Sequence, residues 1–308
     1  MELRHLRYFI AVAEEGSLTE AAEKRLHTSQ PSLSRQIRDL EYRVGAALLI
    51  RSPRGVELTP AGRAFLDHAR LALAQVDAAR EAARRATEAD KPRFAIGFLT
   101  GQEIDWLPAV MGVLREELSK IEVNVSSGYS PDLADALTRG KVDVAFMRRE
   151  KVSGLEFRVV GREPLVVVMP SDHRLASRKA IALKEIARES YIGISRTAPE
   201  LRTVIEQYLQ RSKVAMKASH EADNLAMAMS LVASTRGVAL LPAYATNFLP
   251  WSVASRPLQG DPPTIDLVVG YAKANGSEML RLFLSRIDRL VEDVAAATRS
   301  PRSRPGVR

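Results

Sequence analysis

Between residues 17 and 62 the apolar positions fall at helical spacing, broken by residues that start and stop helices. Ala21, Ala22 and Leu26 follow Ser17 and Glu20, which have the spacing of a capping box, so a helix is predicted to begin near Ser17. A second start lies at Thr28-Ser29, with Pro31 tolerated in the first turn because its missing N–H would find no partner there. The helix it opens carries Leu33, Ile37, Leu40 and Val44 at spacings of three and four, one buried stripe, and ends at Gly45. Two short apolar runs, 48–50 and 56–58, then flank Arg51-Ser-Pro-Arg-Gly55 and predict two strands joined by a basic turn.

Thr59 and Pro60 have the residue types of a cap and a first helical position, and no glycine after Gly62 interrupts a helix predicted to reach about residue 89. Along it Phe65, Ala69, Ala72, Val76, Ala79 and Ala83 form a heptad seam whose small alanines suit a close partner helix, the alternative being a helix packed on its own domain. From Lys91-Pro92 the pattern changes to strands alternating with helices, a βαβ grain. Strands are predicted at 93–99, 121–127 and 142–147 with helices near 105–119 and 131–139. A second set follows, with strands near 165–169, 190–194, 217–221 and 237–241 and helices near 198–211 and 223–235. A last strand, 265–271, and a last helix, 277–297, complete the pattern.

The polar faces carry the candidate chemistry. Opposite the buried stripe of the 29–45 helix lie Pro31, Ser34, Arg35 and Arg38, with Ser29 at the cap and Gln30 on the flank. Hydroxyls, an amide and guanidiniums are the groups that meet base edges and phosphates in a major groove, and Arg51 and Arg54 in the turn suit a minor groove. Surface arginines on an amphipathic helix are common, so each piece alone has a bland reading as a solvated face. In this order they form the pattern of a winged helix-turn-helix.

The chain resembles the LysR family of bacterial transcriptional regulators over nearly its whole length. Ala21-Ala22, Gln30-Pro31, Leu33-Ser34, Leu40-Glu41 and Leu58-Thr59-Pro-Ala-Gly62 match the family pattern, within a stretch that runs from Met1 to Gly62. Within the family, the first 60 residues and the segment Glu163 to Pro170 look most like the regulators of phenylpropionate and cinnamate breakdown. The resemblance implies a winged helix-turn-helix domain over 1–58, a dimerising linker helix over 59–90, and an effector domain over 91–298. That domain is a two-lobed α/β fold like that of periplasmic binding proteins, with lobe I about 91–162 and 268–298 and lobe II about 163–267. Double-stranded DNA with an inverted-repeat operator, a small-molecule effector, a second or further copy of the chain and RNA polymerase are the partners it implies.

In open α/β sheets ligands sit beyond the carboxyl ends of strands, where helix N-termini favour a small anion. Those ends nominate Thr100 and Gly101, Ser130, Arg148, Ser195 and Arg196, and Asn224. Ser130 also serves as a plain cap before Pro131, and Arg148 and Arg196 also suit pairing with surface acids. By the resemblance, Thr100 and Ser130 match hydroxyls that hold an effector carboxylate, and Arg148 a position often basic near that pocket. Phe98, Phe146 and Leu240 are candidates to pack an aromatic ring, with core packing as their other use. Glu103 and Asp105 oppose a carboxylate in the same place. A small organic, aromatic carboxylate is the effector class expected.

Composition narrows the rest. The chain has 308 residues with 46% apolar side chains, room for two domains with real cores. Without cysteine there is no disulfide, thiolate metal site or thiol-based oxidant sensor, and His5, His27, His68, His173 and His220 are scattered, so neither metal nor cofactor is expected. Half of the net charge of +8 comes from Arg299, Arg302, Arg304 and Arg308 in a tail, 299–308, expected to be disordered. The remaining local excess includes the reading surface, so DNA binding is expected to weaken with salt. Gly-x-Ser-x-Gly, phosphate-loop and dinucleotide motifs are missing, which argues against an enzyme. With no apolar leader and no run approaching the roughly 18 residues of a membrane helix, a cytoplasmic chain is expected, and a transport solute-binding module is disfavoured by the same lack of a leader and by the reading head.

Overall fold

The structure, a computed structural model, describes residues 1–52, 55–88 and 91–299. It divides into two compact units, the first made of Met1–Glu88 together with Thr138–Lys141 and Val152–Gly154.

In that unit α1 (Leu3–Glu15) stops at Gly16, which takes a left-handed φ of +64°. Next come α2 (Leu18–Glu20), continued by a π turn over Ala21–Leu26, and α3 (Gln30–Val44). Ser17 caps as its sequence predicts, accepting the Glu20 N–H at 3.3 Å, but the Glu20 carboxylate turns to Lys24, so only half of the capping box forms. Ser29 caps α3 through the Ser32 N–H at 3.4 Å. The predicted stripe is the core: Leu33, Ile37 and Leu40 are fully buried with Phe9, Val12, Ala21 and Ala22, and Val44 packs at its edge.

The wing is the antiparallel pair β1 (Leu49–Ser52) and β2 (Gly55–Leu58), with Ser52 opposite Gly55. Its tip residue Arg54 lies outside the described residues. The wing leads into α4 (Pro60–Glu88) through a tight joint. The Thr59 hydroxyl accepts the Gly62 N–H at 2.9 Å and donates to the Ala47 carbonyl at 2.8 Å. Within α4 the predicted seam divides. Phe65 meets Phe9 edge-on at 5.2 Å and Ala69 is 2% exposed, so both face the core of their own head, while Ala72 and Ala79 are exposed and Val76 half-buried.

In the second unit, among the described residues, nine strands form two sheets that share one long strand. They are β3 (Arg93–Leu99), β4 (Glu122–Gly128), β5 (Val144–Met147), β6 (Leu155–Pro170), β7 (Tyr191–Ile194), β8 (Ala218–Ala222), β9 (Val238–Pro242), β10 (Val253–Pro257) and β11 (Thr264–Ala272). The order is β4-β3-β5-β11-β6-β9-β7-β8, with β10 pairing on β6. β11 pairs with β6 as far as Pro164, and from Leu165 onward β6 pairs with β9 and β10, so this strand passes from lobe to lobe. Helices α5 (Glu103–Val113), α6 (Ser130–Thr138), α9 (Glu278–Ser285) and α10 (Ile287–Arg299) belong to the first lobe, α7 (Pro199–Arg211) and α8 (Leu225–Thr235) to the second.

Three differences from the sequence pattern have physical causes. The first half of β6 and all of β10 were not predicted, because Glu156, Arg158, Arg162 and Glu163 interrupt the apolar run and Val253–Pro257 is short and mixed. The helix expected to reach residue 119 ends as α5 at Val113. The single helix expected over 277–297 breaks at Arg286, whose guanidinium makes two 2.8 Å bonds to Glu117 and a third to the Val113 carbonyl. The tail beyond Arg299 lies outside the described residues.

Candidate functional site

The head presents one polar surface. Ser29, Gln30, Pro31, Arg35 and Arg38 are exposed along α3 opposite its buried stripe, and Ser34 is half-buried. Arg51 of the wing donates to the Ser34 hydroxyl at 3.0 Å and lies 3.6 Å from Glu41, so wing and reading helix are tied together. Glu41 in turn accepts the N–H groups of Leu48 and Leu49 at 2.8 and 3.1 Å, which fixes the start of the wing. An exposed helical face that carries two guanidiniums, Arg35 and Arg38, along the middle turns of α3 is suited to major-groove reading.

The second unit holds a cleft of about 410 Å³ at the carboxyl ends of β3, β5, β7 and β9. Five of the seven residues nominated from the strand ends line it: Thr100, Gly101, Ser130, Arg148 and Asn224. Ser195 does not: it is buried, and its hydroxyl is bonded to that of Thr197 at 2.8 Å. Arg196 is exposed and also stands off the cleft, and Thr197, next along the chain, takes the lining position instead. Phe98, Phe146 and Leu240 are fully buried, the first two stacked at 5.0 Å, so they serve the core. The apolar wall comes instead from Ile104, Tyr129, Tyr244 and Phe248.

Ser130, buried at the start of α6, accepts the Arg148 backbone N–H at 2.9 Å. Asn224 caps α8 through the Met227 N–H at 2.8 Å. Thr100 donates weakly to the Gly128 carbonyl at 3.4 Å, and the Gly101 N–H is taken by Glu103 at 2.7 Å. Arg148 is 6% exposed and already committed: its guanidinium pairs with Glu163, donates to the Asp266 carbonyl at 2.9 Å and lies 5.6 Å from the Tyr244 ring centre. Gln102, also fully buried, donates to the same Glu163 at 2.8 Å. Burial pushes the Tyr244 phenol far up, so it stays neutral.

The lining therefore has a different charge from the anion site expected. It holds four carboxylates, Glu103, Glu150, Glu200 and Asp223, beside the one arginine, which Glu163 neutralises. Burial raises the Glu200 pKa against the opposing pull of Arg148, and burial together with Glu200 raises that of Glu150. Sequence reasoning passed over both glutamates. The signal was present, since Glu150 follows Arg148 past the end of β5, and Glu200 follows Pro199 at the start of α7.

A head with an exposed reading helix and wing, followed in the same chain by a two-lobed ligand cleft, defines a DNA-binding regulator under small-molecule control. Residues 3–63 match the model of the bacterial regulatory helix-turn-helix protein, lysR family, and residues 87–291 that of the LysR substrate binding domain. The chain belongs to the LysR family of transcriptional regulators and is not an enzyme. It is 36% identical to the Hca operon transcriptional activator HcaR of Escherichia coli over 298 residues, 96% of this chain and all of that protein. Among solved structures it is similar to full-length BenM at 26% identity and a TM-score of 0.57, covering 97% of this chain and 98% of that one. It is also similar to full-length CbnR complexed with target DNA, at 25% identity and a TM-score of 0.55, covering 94% and 100%. Among the described residues no helix is long and apolar enough to cross a membrane.

Proposed function

We propose that the protein controls a catabolic operon in response to a small aromatic carboxylate bound in the cleft. The observation that carries this reading is the cleft itself, with a hydroxyl at the helix start of Ser130, an amide at that of Asn224, apolar walls and a volume that suits a single substituted ring. Support for the operon class comes from the 36% identity to the Hca operon activator and from 35% identity over 245 residues to CatR of Pseudomonas putida. Thr100, Gly101, Ser130, Arg148 and Asn224 hold the effector, Arg148 chiefly as the backbone N–H and the fixed guanidinium that set Ser130 and Tyr244. Ser29, Gln30, Pro31, Ser34, Arg35 and Arg38 read the major groove, and Arg51 and Arg54 the backbone or minor groove beside it.

Ala72, Val76 and Ala79 on α4 pair two copies, with Phe65 and Ala69 fixing the root of that helix to its head. A two-fold pair of heads reads an inverted repeat, and pairs of dimers make the tetramer. Effector binding shifts the lobes and so the spacing of the heads, which changes contact with RNA polymerase more than affinity for DNA. The test is a thermal-shift screen of the full chain with phenylpropionate, cinnamate and benzoates. A rise in melting temperature with at least one supports the effector class, and no shift with any of them overturns it.

A further inference from the structure

The solvent-facing stripe of α3 runs one turn beyond the residues assigned to DNA above. Pro31, Arg35 and Arg38 follow one another at spacings of four and three, and a further step of four reaches Tyr42. At 3.6 residues per turn these four side chains leave the helix within about 60° of one another. That side lies opposite Leu33, Ile37 and Leu40, and Tyr42 is 89% exposed on it. Among the described residues its ring meets no aromatic partner and its hydroxyl no hydrogen-bond partner. Single exposed aromatics are common on protein surfaces, so exposure alone assigns nothing. What singles this one out is its place in line with the two arginines.

Length decides what it reaches. From Pro31 to Tyr42 the stripe extends about 16.5 Å along the helix, whereas the major groove of B-DNA is about 12 Å wide. With the N-terminal turns of α3 at the base edges, its last turn comes out at the wall of the groove, where phosphates and not bases lie. A phenol placed there is a hydrogen-bond donor without a charge. Arg43, in the same last turn, keeps this end of the helix basic against the negative end of its dipole, so a phosphate is not repelled.

From this we infer that Tyr42 is a DNA contact: its hydroxyl donates to a backbone phosphate at the rim of each half-site and so seats α3 in the groove. The inference rests on α3 being the reading helix. It makes Tyr42 a positioning residue and not a base reader, so its loss weakens binding to every sequence alike and leaves the preferred sequence unchanged. Because no cation is removed, no counterion release is removed with it, and the dependence of affinity on salt stays as it was. An arginine at the backbone behaves differently, since its removal lowers the salt slope by about one.

In the test, the full chain first selects its preferred duplex from a randomised pool, and that duplex and a scrambled one are titrated by fluorescence anisotropy over a range of salt. Tyr42→Phe keeps the ring and removes only the hydroxyl. It is expected to bind both duplexes about tenfold more weakly, from one hydrogen bond lost at each of two heads. Its melting, its salt slope and the sequence it selects are expected to match those of the parent protein. A neutral methylphosphonate, placed at each phosphate in turn, is expected to cost the parent more than Tyr42→Phe at one position in each half-site and to cost the two alike elsewhere. Parent-like affinity in both Tyr42→Phe and Tyr42→Ala overturns the inference alone, as does a changed sequence preference, which puts Tyr42 at a base. A loss that tracks a shift towards monomer in analytical ultracentrifugation overturns it too, placing Tyr42 between copies of the chain. A pool from which the parent selects nothing overturns the reading-helix assignment and this inference with it.

Discussion

A Cβ on Gly62 would lie 2.0 Å from the Leu48 carbonyl oxygen, a backbone atom that has no room to retreat. The Gly62→Ala protein is therefore expected to lose roughly 2 kcal/mol or more of head stability, read as a lower melting temperature, by the usual cost of overpacking. On the reading face, Arg35→Ala removes an exposed guanidinium without touching the core, so it is expected to cost about 1–3 kcal/mol of operator binding per head while melting stays unchanged. Unchanged operator affinity would place the reading face elsewhere. Ser130→Ala, by contrast, is expected to spare DNA binding and to blunt the effector response. Caps were legible residue by residue, because Ser17, Ser29 and Thr59 act within three or four residues of themselves. The commitment of Arg148 to Glu163 and Tyr244 was not, since those contacts join three separate elements through the sheet.

At the scale of elements, periodicity located most strands and helices to within a few residues, because each buries an apolar face of its own. It missed β10 and the first half of β6, whose pairing satisfies their backbones although their sequences alternate poorly. It also ran through Arg286, where a long-range ion pair and not a local breaker divides α9 from α10. Hydrogen bonding to Arg286 holds the Glu117 carboxyl below its ordinary pKa. The contribution of that pair to stability is thus complete above the ordinary glutamate pKa and falls away as pH drops through the lowered one. Glu117→Gln is expected to flatten this part of the acid-unfolding profile, and a profile identical to that of the parent protein would show that the pair adds nothing. For α4, the proposed pairing through Ala72, Val76 and Ala79 is open to test: Val76→Arg is expected to shift the protein towards monomer in analytical ultracentrifugation, whereas an unchanged oligomer would put the interface on another face.

In the whole molecule a DNA-binding head is followed by an effector-binding domain with its own cleft. Two heads making roughly six phosphate contacts between them are expected to lose about a thousandfold in affinity between about 50 and 200 mM salt. A flat salt response would mean that the arginines of α3 and the wing are not at the phosphates. Sequence-specific DNA reading by the head is tested by a mobility-shift titration of the full chain on DNA upstream of its own coding region and on a genomic fragment library, with random DNA as competitor. A competitor-resistant shift that maps to an inverted repeat and disappears in Arg35→Ala is expected. Binding that random DNA erases on every fragment, equally for the parent and for Arg35→Ala, would contradict it.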